Sequence, residues 1–252
     1  MAKALKSALS SRFNRANTAP RHRIIGASFG EVGTGKTSFW LGAPGPIVVQ
    51  SLDKGLEGVV EPFAETKDIY TPEYDWAPTE DLSQDDAIAL RDRFCEDFEA
   101  ALEHARTIVW DKETLIWELF RYAEFGEPND APRNYPKLNQ RYRKYLQMPK
   151  ATNVNFGCIQ SMKDLWKSAM KKDGSGTQGV NTGQRVRQGF SELDELVFFD
   201  LRHRREGGVF LIDIGKAHGP GAQDMQDETL EGVTFIDFAQ LAFPGTSEED
   251  WQ

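Results

Sequence analysis

Gly30-Glu31-Val32-Gly33-Thr34-Gly35-Lys36-Thr37 fits the pattern G-x-x-x-x-G-K-[ST] of a phosphate-binding P-loop. The apolar run Ile24-Ile25-Gly26-Ala27-Ser28-Phe29 in front of it reads as a strand entering the loop, and Ser38-Phe39-Trp40-Leu41 behind it as the start of a helix. Strand, glycine loop and helix in that order are the context this pattern requires. The glycines let the backbone curl so that successive N–H groups point at phosphate oxygens, and the helix N-terminus adds partial positive charge at the same spot. Residues Gly30, Glu31, Val32, Gly33, Thr34, Gly35, Lys36, Thr37 and Ser38 are therefore the candidate nucleotide site. In it Lys36 reaches the β- and γ-phosphates and the Thr37 hydroxyl bears on Mg²⁺.

Outward from this loop, strand-like and helix-like stretches alternate. Strands are expected at Pro46–Leu52, Thr107–Asp111, Thr152–Ile159, Glu195–Arg202 and Gly208–Ile214. Helices are expected at Asp85–Ala105, through Leu115, Leu119 and Phe120, and at Lys137–Leu146. That alternation implies an α/β fold with a mostly parallel twisted sheet and helices on both faces. Residues 1–21 read as an N-terminal tail, 22–220 as the core, 65–86 as an acidic surface insertion, and 221–252 as an acidic C-terminal segment. Residues Lys163 to Gln188, with Gly174, Gly176, Gly179 and Gly183, read as a long flexible loop.

A chain of 252 residues suffices for one large α/β domain. No stretch approaches a membrane span, and the basic start lacks an apolar run, so no signal peptide is expected and a cytoplasmic location is. Cys95 and Cys158 have no metal-type spacing and read as buried thiols. The net charge of −9 is unevenly spread. Residues 121–220 carry 17 basic and 11 acidic side chains, whereas 221–252 carry 0 and 8. A basic stretch can bind phosphate even in an acidic molecule.

Several residues complete a hydrolytic site if the sheet is parallel. Asp111 ends the apolar strand Thr107–Trp110 and is the candidate second Mg²⁺ residue beside Thr37; capping the next helix is its bland alternative. Asp53 follows the strand Pro46–Leu52 and is the candidate that positions water, with Glu57 as the alternative. Gln160, at the end of Thr152–Ile159, is a candidate γ-phosphate sensor. Lys163, Lys167, Lys171, Lys172, Arg185 and Arg187, with Trp166 nearby, suit single-stranded DNA by neutralising phosphates and stacking a base. Lys216 ends the strand before Ala217-His218-Gly219 and is a candidate to act on a neighbour's nucleotide.

Together these residues resemble the RecA-like recombinase ATPases, and among them the compact phage proteins of the single-strand annealing type. The resemblance spans about residues 22–220. It implies an ATPase using ATP and Mg²⁺, binding single-stranded DNA, forming a homo-oligomeric ring or filament, and promoting annealing or strand exchange in recombination. Asp53 stands where such proteins usually carry a catalytic Glu, Asp111 matches the acid of the second nucleotide motif with Lys112 in place of a small residue, and Gln160 is similar to the amide that opens the DNA-binding loop. Lys216 looks like the lysine that acts across subunits. The family also polymerises through Phe-x-x-A segments, and Phe13–Ala16, Phe98–Ala101 and Phe120–Ala123 all fit. A single-strand DNA-binding protein is a further expected partner. If phage-encoded, the protein would act in the bacterial host's cytoplasm. Rival readings are a helicase, a helicase loader, a packaging motor or an ATP-dependent protein-interaction switch.

Overall fold

The computed structural model describes residues 22–53, 55–74, 76, 83–126, 135–170 and 177–251. The N-terminal tail, Phe13–Ala16 within it, and Lys171 and Lys172 lie outside the described residues.

The four central strands of the sheet, Ile25–Gly30, Ile47–Ser51, Thr107–Asp111 and Asn155–Gln160, are short and almost wholly buried, as strands covered on both faces must be. The parallel core consists of β1 (Ile25–Gly30), β2 (Ile47–Ser51), β3 (Ile69–Tyr70), β4 (Thr107–Asp111) and β5 (Asn155–Gln160). A separate ribbon, β6 (Met162–Met170) and β7 (Thr177–Arg187), follows. Then come β8 (Phe199–Glu206), β9 (Val209–Lys216) and β10 (Thr229–Glu231). The sheet order is β10-β9-β8-β1-β5-β4-β2-β3. β8 is parallel to β1, while β9 and β10 add antiparallel strands at that edge. From β1 the chain runs toward one edge, returns through β4 and β5, and crosses to β8 on the other side. The carboxyl end of β1 is thus a topological switch point, where open α/β sheets bind ligands.

Side-chain alternation sends each strand's residues to two separate cores. Ile108 and Trp110 of β4 face one, and Val109 the other. The first core lies under helices α2 (Gln84–His104), α3 (Glu113–Phe125) and α4 (Pro136–Gln147). The second lies under α1 (Lys36–Leu41) and α5 (Phe235–Ala242). The α/β architecture with helices on both faces is the expected one.

Four expectations are corrected. The span 163–188 is not a flexible loop: its described parts are an antiparallel two-stranded ribbon. Both ribbon faces are largely exposed, so no burial periodicity marks it in the sequence. Residues Leu193–Leu196 form a helical turn, and the strand expected from Glu195 begins only at Phe199. The segment 65–86 is more than a surface insertion, because it supplies β3 and buries Tyr74 and Trp76. There the Tyr74 hydroxyl accepts from Gln50 Nε2 at 2.8 Å and donates to Asp97 Oδ2 at 3.0 Å. The acidic segment 221–251 does not trail from the core. It adds β10 and α5, and Phe235, Phe238, Ala239, Ala242 and Trp251 are buried. Phe98–Ala101 and Phe120–Ala123 are likewise anchored in the core by their Phe and Ala residues.

Helix α1 has only six residues and would be marginal alone. Trp40 fastens it. The ring lies against β1 and β5 where both carry glycine: a Cβ on Gly157 would fall 2.3 Å from Trp40 Cδ2, and one on Gly26 3.2 Å from Cζ2. Trp40 Nε1 also donates to Ser28 Oγ at 2.9 Å. Phe235 of α5 packs on Trp40 and Phe39 from the other side. Gly157→Ala is therefore expected to lower the unfolding free energy by about 1–3 kcal/mol through overpacking. Urea denaturation checks this, and an unchanged midpoint contradicts the packing.

Candidate functional site

The chain turns out of β1 through residues that only glycine suits. Gly30 has φ +150, and a Cβ there would lie 2.1 Å from the His203 carbonyl oxygen. Gly33 and Gly35 have φ +76 and +82, the left-handed region that favours glycine. Gly35 stands at the N-cap of α1, and no side chain caps that helix. The first-turn N–H groups of α1 therefore remain for something other than a capping side chain.

A cleft of about 430 Å³ opens over this loop. Residues 30–38 form its floor, Asp53, Asp111, Lys112 and Gln160 line its wall, and Met162 and Arg185 of the ribbon close its rim. Strands β1, β2, β4 and β5 end there side by side, which brings together the expected P-loop, Asp53, Asp111 and Gln160. Glu57 is not among the lining residues.

Lys36 Nζ donates to the carbonyls of Gly30 at 2.9 Å and Glu31 at 2.6 Å. Burial pulls its pKa down, and the charges of Asp111 and Glu31 oppose that. Thr37 Oγ1 lies 3.4 Å from Asp111 Oδ2. Burial, and then the charge of Asp53, push the Asp111 carboxyl up to about 6. The hydroxyl and the carboxylate are hard oxygen donors facing each other in a polar cleft, the donor set that a Mg²⁺ bound through one or two carboxylates and phosphates requires.

Asp53 behaves differently. Burial opposes its ionisation, but bonds from Lys112 and Ser51 hold its carboxyl below the ordinary value. Its partner Lys112 has φ 57 and ψ 60, a left-handed conformation uncommon outside glycine. Such strain clusters at functional sites.

Sequence reasoning missed the residues after Lys112. Glu113 is fully buried and accepts from Gln160 Nε2 at 2.8 Å, Tyr142 Oη at 2.7 Å and the Phe190 N–H at 3.3 Å. Burial raises its pKa, against the bonds from Tyr142 and Gln160. Thr114 Oγ1 donates to the Gln188 carbonyl at 2.9 Å and accepts from the Ser161 N–H at 3.2 Å. Glu113 and Thr114 thus clasp both feet of the β6–β7 ribbon. Their partners lie 29 to 77 positions away in the chain, so no local pattern announces them. Gln160 Oε1 is buried without a partner among the described residues.

The expected DNA-binding cations divide. Lys163 and Lys167 are exposed on the ribbon beside Trp166, itself 61% exposed. Arg187 is instead paired with Asp200 and lies over the Phe29 ring, its guanidinium carbon 4.1 Å from the centroid. Arg185 is paired with Glu31 of the P-loop. Lys216 is not brought to the cleft. Strand β9 runs antiparallel to β8, so its end falls beside Asp200, level with Ala27. There Lys216 Nζ donates to the Asp194 carbonyl at 2.8 Å.

His203 lies beneath the loop, 3% exposed, with Nε2 3.0 Å from Ser28 Oγ. Cys95 and Cys158 are buried free thiols, as expected. No described helix is long and apolar enough to cross a membrane.

No family model matches the sequence, and no curated protein does. Among solved structures, the crystal structure of the RadB recombinase is similar, with a TM-score of 0.45 and 12% sequence identity over 91% of this chain and 92% of that chain. A likeness this distant assigns no activity and no residue role to this chain.

Burial, with Lys36 nearby, drops the His203 pKa to about 3 from an ordinary 6.5. The unfolded chain takes up a proton below 6.5 that the folded chain refuses until about 3. Stability is whole above pH 6.5 and is lost as pH falls through that window. At about 1.4 kcal/mol per pH unit, the wild type should lose about 2 kcal/mol more than His203→Gln between pH 7.5 and 5. Denaturant titrations at the two pH values check this, and equal losses contradict a buried neutral His203.

Proposed function

We propose that the cleft binds ATP with Mg²⁺ and that the chain is a RecA-like ATPase acting on single-stranded DNA. The observation that carries the reading is the glycine-formed loop Gly30–Thr37 facing Asp111 across 3.4 Å from Thr37 at the switch point of the sheet. Residues 30–38 hold the phosphates, Lys36 neutralises them, and Thr37 and Asp111 hold the metal. When bound, Mg²⁺ neutralises charge on the phosphate oxygens. Asp53, kept ionised by Lys112, orients or deprotonates the attacking water. Gln160 lines the cleft and senses the terminal phosphate through its Nε2 donor, which now bonds Glu113.

The ribbon is the DNA-binding element, through Lys163 and Lys167 against phosphates and Trp166 stacked on a base. Lys171 and Lys172 extend the same cationic run in the sequence. The chain assembles into rings or filaments, with Lys216 offered to a neighbour, and promotes annealing or strand exchange in phage-type recombination.

ATP hydrolysis measured with and without single-stranded DNA tests this reading. Stimulation by DNA that Lys36→Ala abolishes is expected, and hydrolysis indifferent to DNA contradicts the coupling. The ribbon's role has its own signature. Replacing both Lys163 and Lys167 by Ala should lower the slope of log affinity against log salt by about 1.4, at roughly 0.7 per single-strand phosphate contact. An unchanged slope places the DNA elsewhere.

A further inference from the structure

Arg185 has the composition of a DNA contact and the position of a nucleotide contact. It lies on β7, yet it lines the cleft beside Lys36, Asp111 and Met162. Its guanidinium is ion-paired with Glu31, the second residue of the P-loop. Nη2 donates to the Met162 carbonyl at 2.9 Å, and Nε lies 3.4 Å from Asp164 Oδ1. The ribbon's neighbouring cation, Arg187, is committed to Asp200 and Phe29. Arg185 is thus the ribbon cation facing the phosphate loop among the described residues.

Its present partners hold it weakly. Arg185 and Glu31 have side chains 43% and 50% exposed, and exposed ion pairs of this kind contribute little. A terminal phosphate carries more charge than a carboxylate and accepts a guanidinium through two parallel bonds. Exchange of Glu31 for such a group would therefore be favourable. A nucleoside diphosphate lacks that terminal group.

Resting on the ATP-binding reading above, we propose that Arg185 is a phosphate-sensing residue supplied in cis: a nucleoside triphosphate takes its guanidinium from Glu31, and a diphosphate leaves that pair intact. The exchange draws β7 toward the P-loop, so the ribbon's position reports which nucleotide is bound. No covalent step is involved.

The test is the affinity of the full chain for ADP and for a non-hydrolysable ATP analogue, both with Mg²⁺, by titration calorimetry. It compares the wild type with Arg185→Ala, Arg185→Lys and Glu31→Gln. Arg185→Ala is expected to weaken the analogue about tenfold and ADP less than twofold. Arg185→Lys, which keeps the charge but loses the fork, should fall between. Glu31→Gln, which removes the competing anion, should raise the preference for the analogue, and only when Arg185 is present.

Equal effects of Arg185→Ala on both nucleotides, or no effect on either, overturn the proposal while leaving ATP binding intact. Failure of the wild type to bind either nucleotide overturns the ATP reading and this proposal with it. Arg185→Ala that weakens single-stranded DNA without altering the nucleotide ratio returns Arg185 to the DNA surface. Arg185 lies in an exposed ribbon, and unchanged circular dichroism of each variant excludes misfolding as the cause.

Discussion

The packing of one indole on two glycines carries the site. A six-residue helix cannot hold a phosphate loop in place by its own hydrogen bonds. Trp40 does so by lying where Gly157 and Gly26 leave the sheet without side chains, and by bonding to Ser28. Ser28 in turn meets His203, whose own carbonyl sits against Gly30 and leaves no space for a Cβ. Floor, helix and loop are therefore fixed by a single contiguous network. The aromatic face of α5 braces that network from outside, which gives the acidic C-terminal segment a structural task.

The cleft and the ribbon are joined by four consecutive residues. Asp111 faces Thr37, Lys112 pairs with Asp53, Glu113 holds Gln160 and the Phe190 N–H, and Thr114 holds Ser161 and Gln188. Lys112 adopts a left-handed backbone between the first of these and the last two. One peptide segment therefore contacts both the cleft and the two ribbon feet. Arg185 is a second tie between the same two parts, from the ribbon back to the P-loop.

The sequence announces what is local. The P-loop was legible because its glycines answer to backbone angles within eight residues, and Asp111 because an acid ending a buried strand is conspicuous. Helix α5 was also legible but obscured by net charge: Thr234 and Asp237 form a capping box, and Phe235, Phe238, Ala239 and Ala242 keep helical spacing. The ribbon was not legible, since two strands that bury neither face show no alternation. Nor was the division of its cations. Arg185, Arg187 and Lys163 differ by the partner each meets, Glu31 and Asp200 for the two arginines, and those lie far away in the chain or behind a turn. Lys216 ends its strand as expected, but the direction of β9, which sets it beside Asp200, is not revealed by strand propensity.

Hydrogen exchange of the ribbon strands Met162–Met170 and Thr177–Arg187, compared between the ATP-analogue and ADP complexes without DNA, tests most directly whether cleft and ribbon form one device. Amides of the ribbon and its feet should exchange several-fold more slowly with the analogue, while those of α2 stay unchanged. Equal ribbon exchange in the two complexes would contradict the coupling between phosphate loop and ribbon.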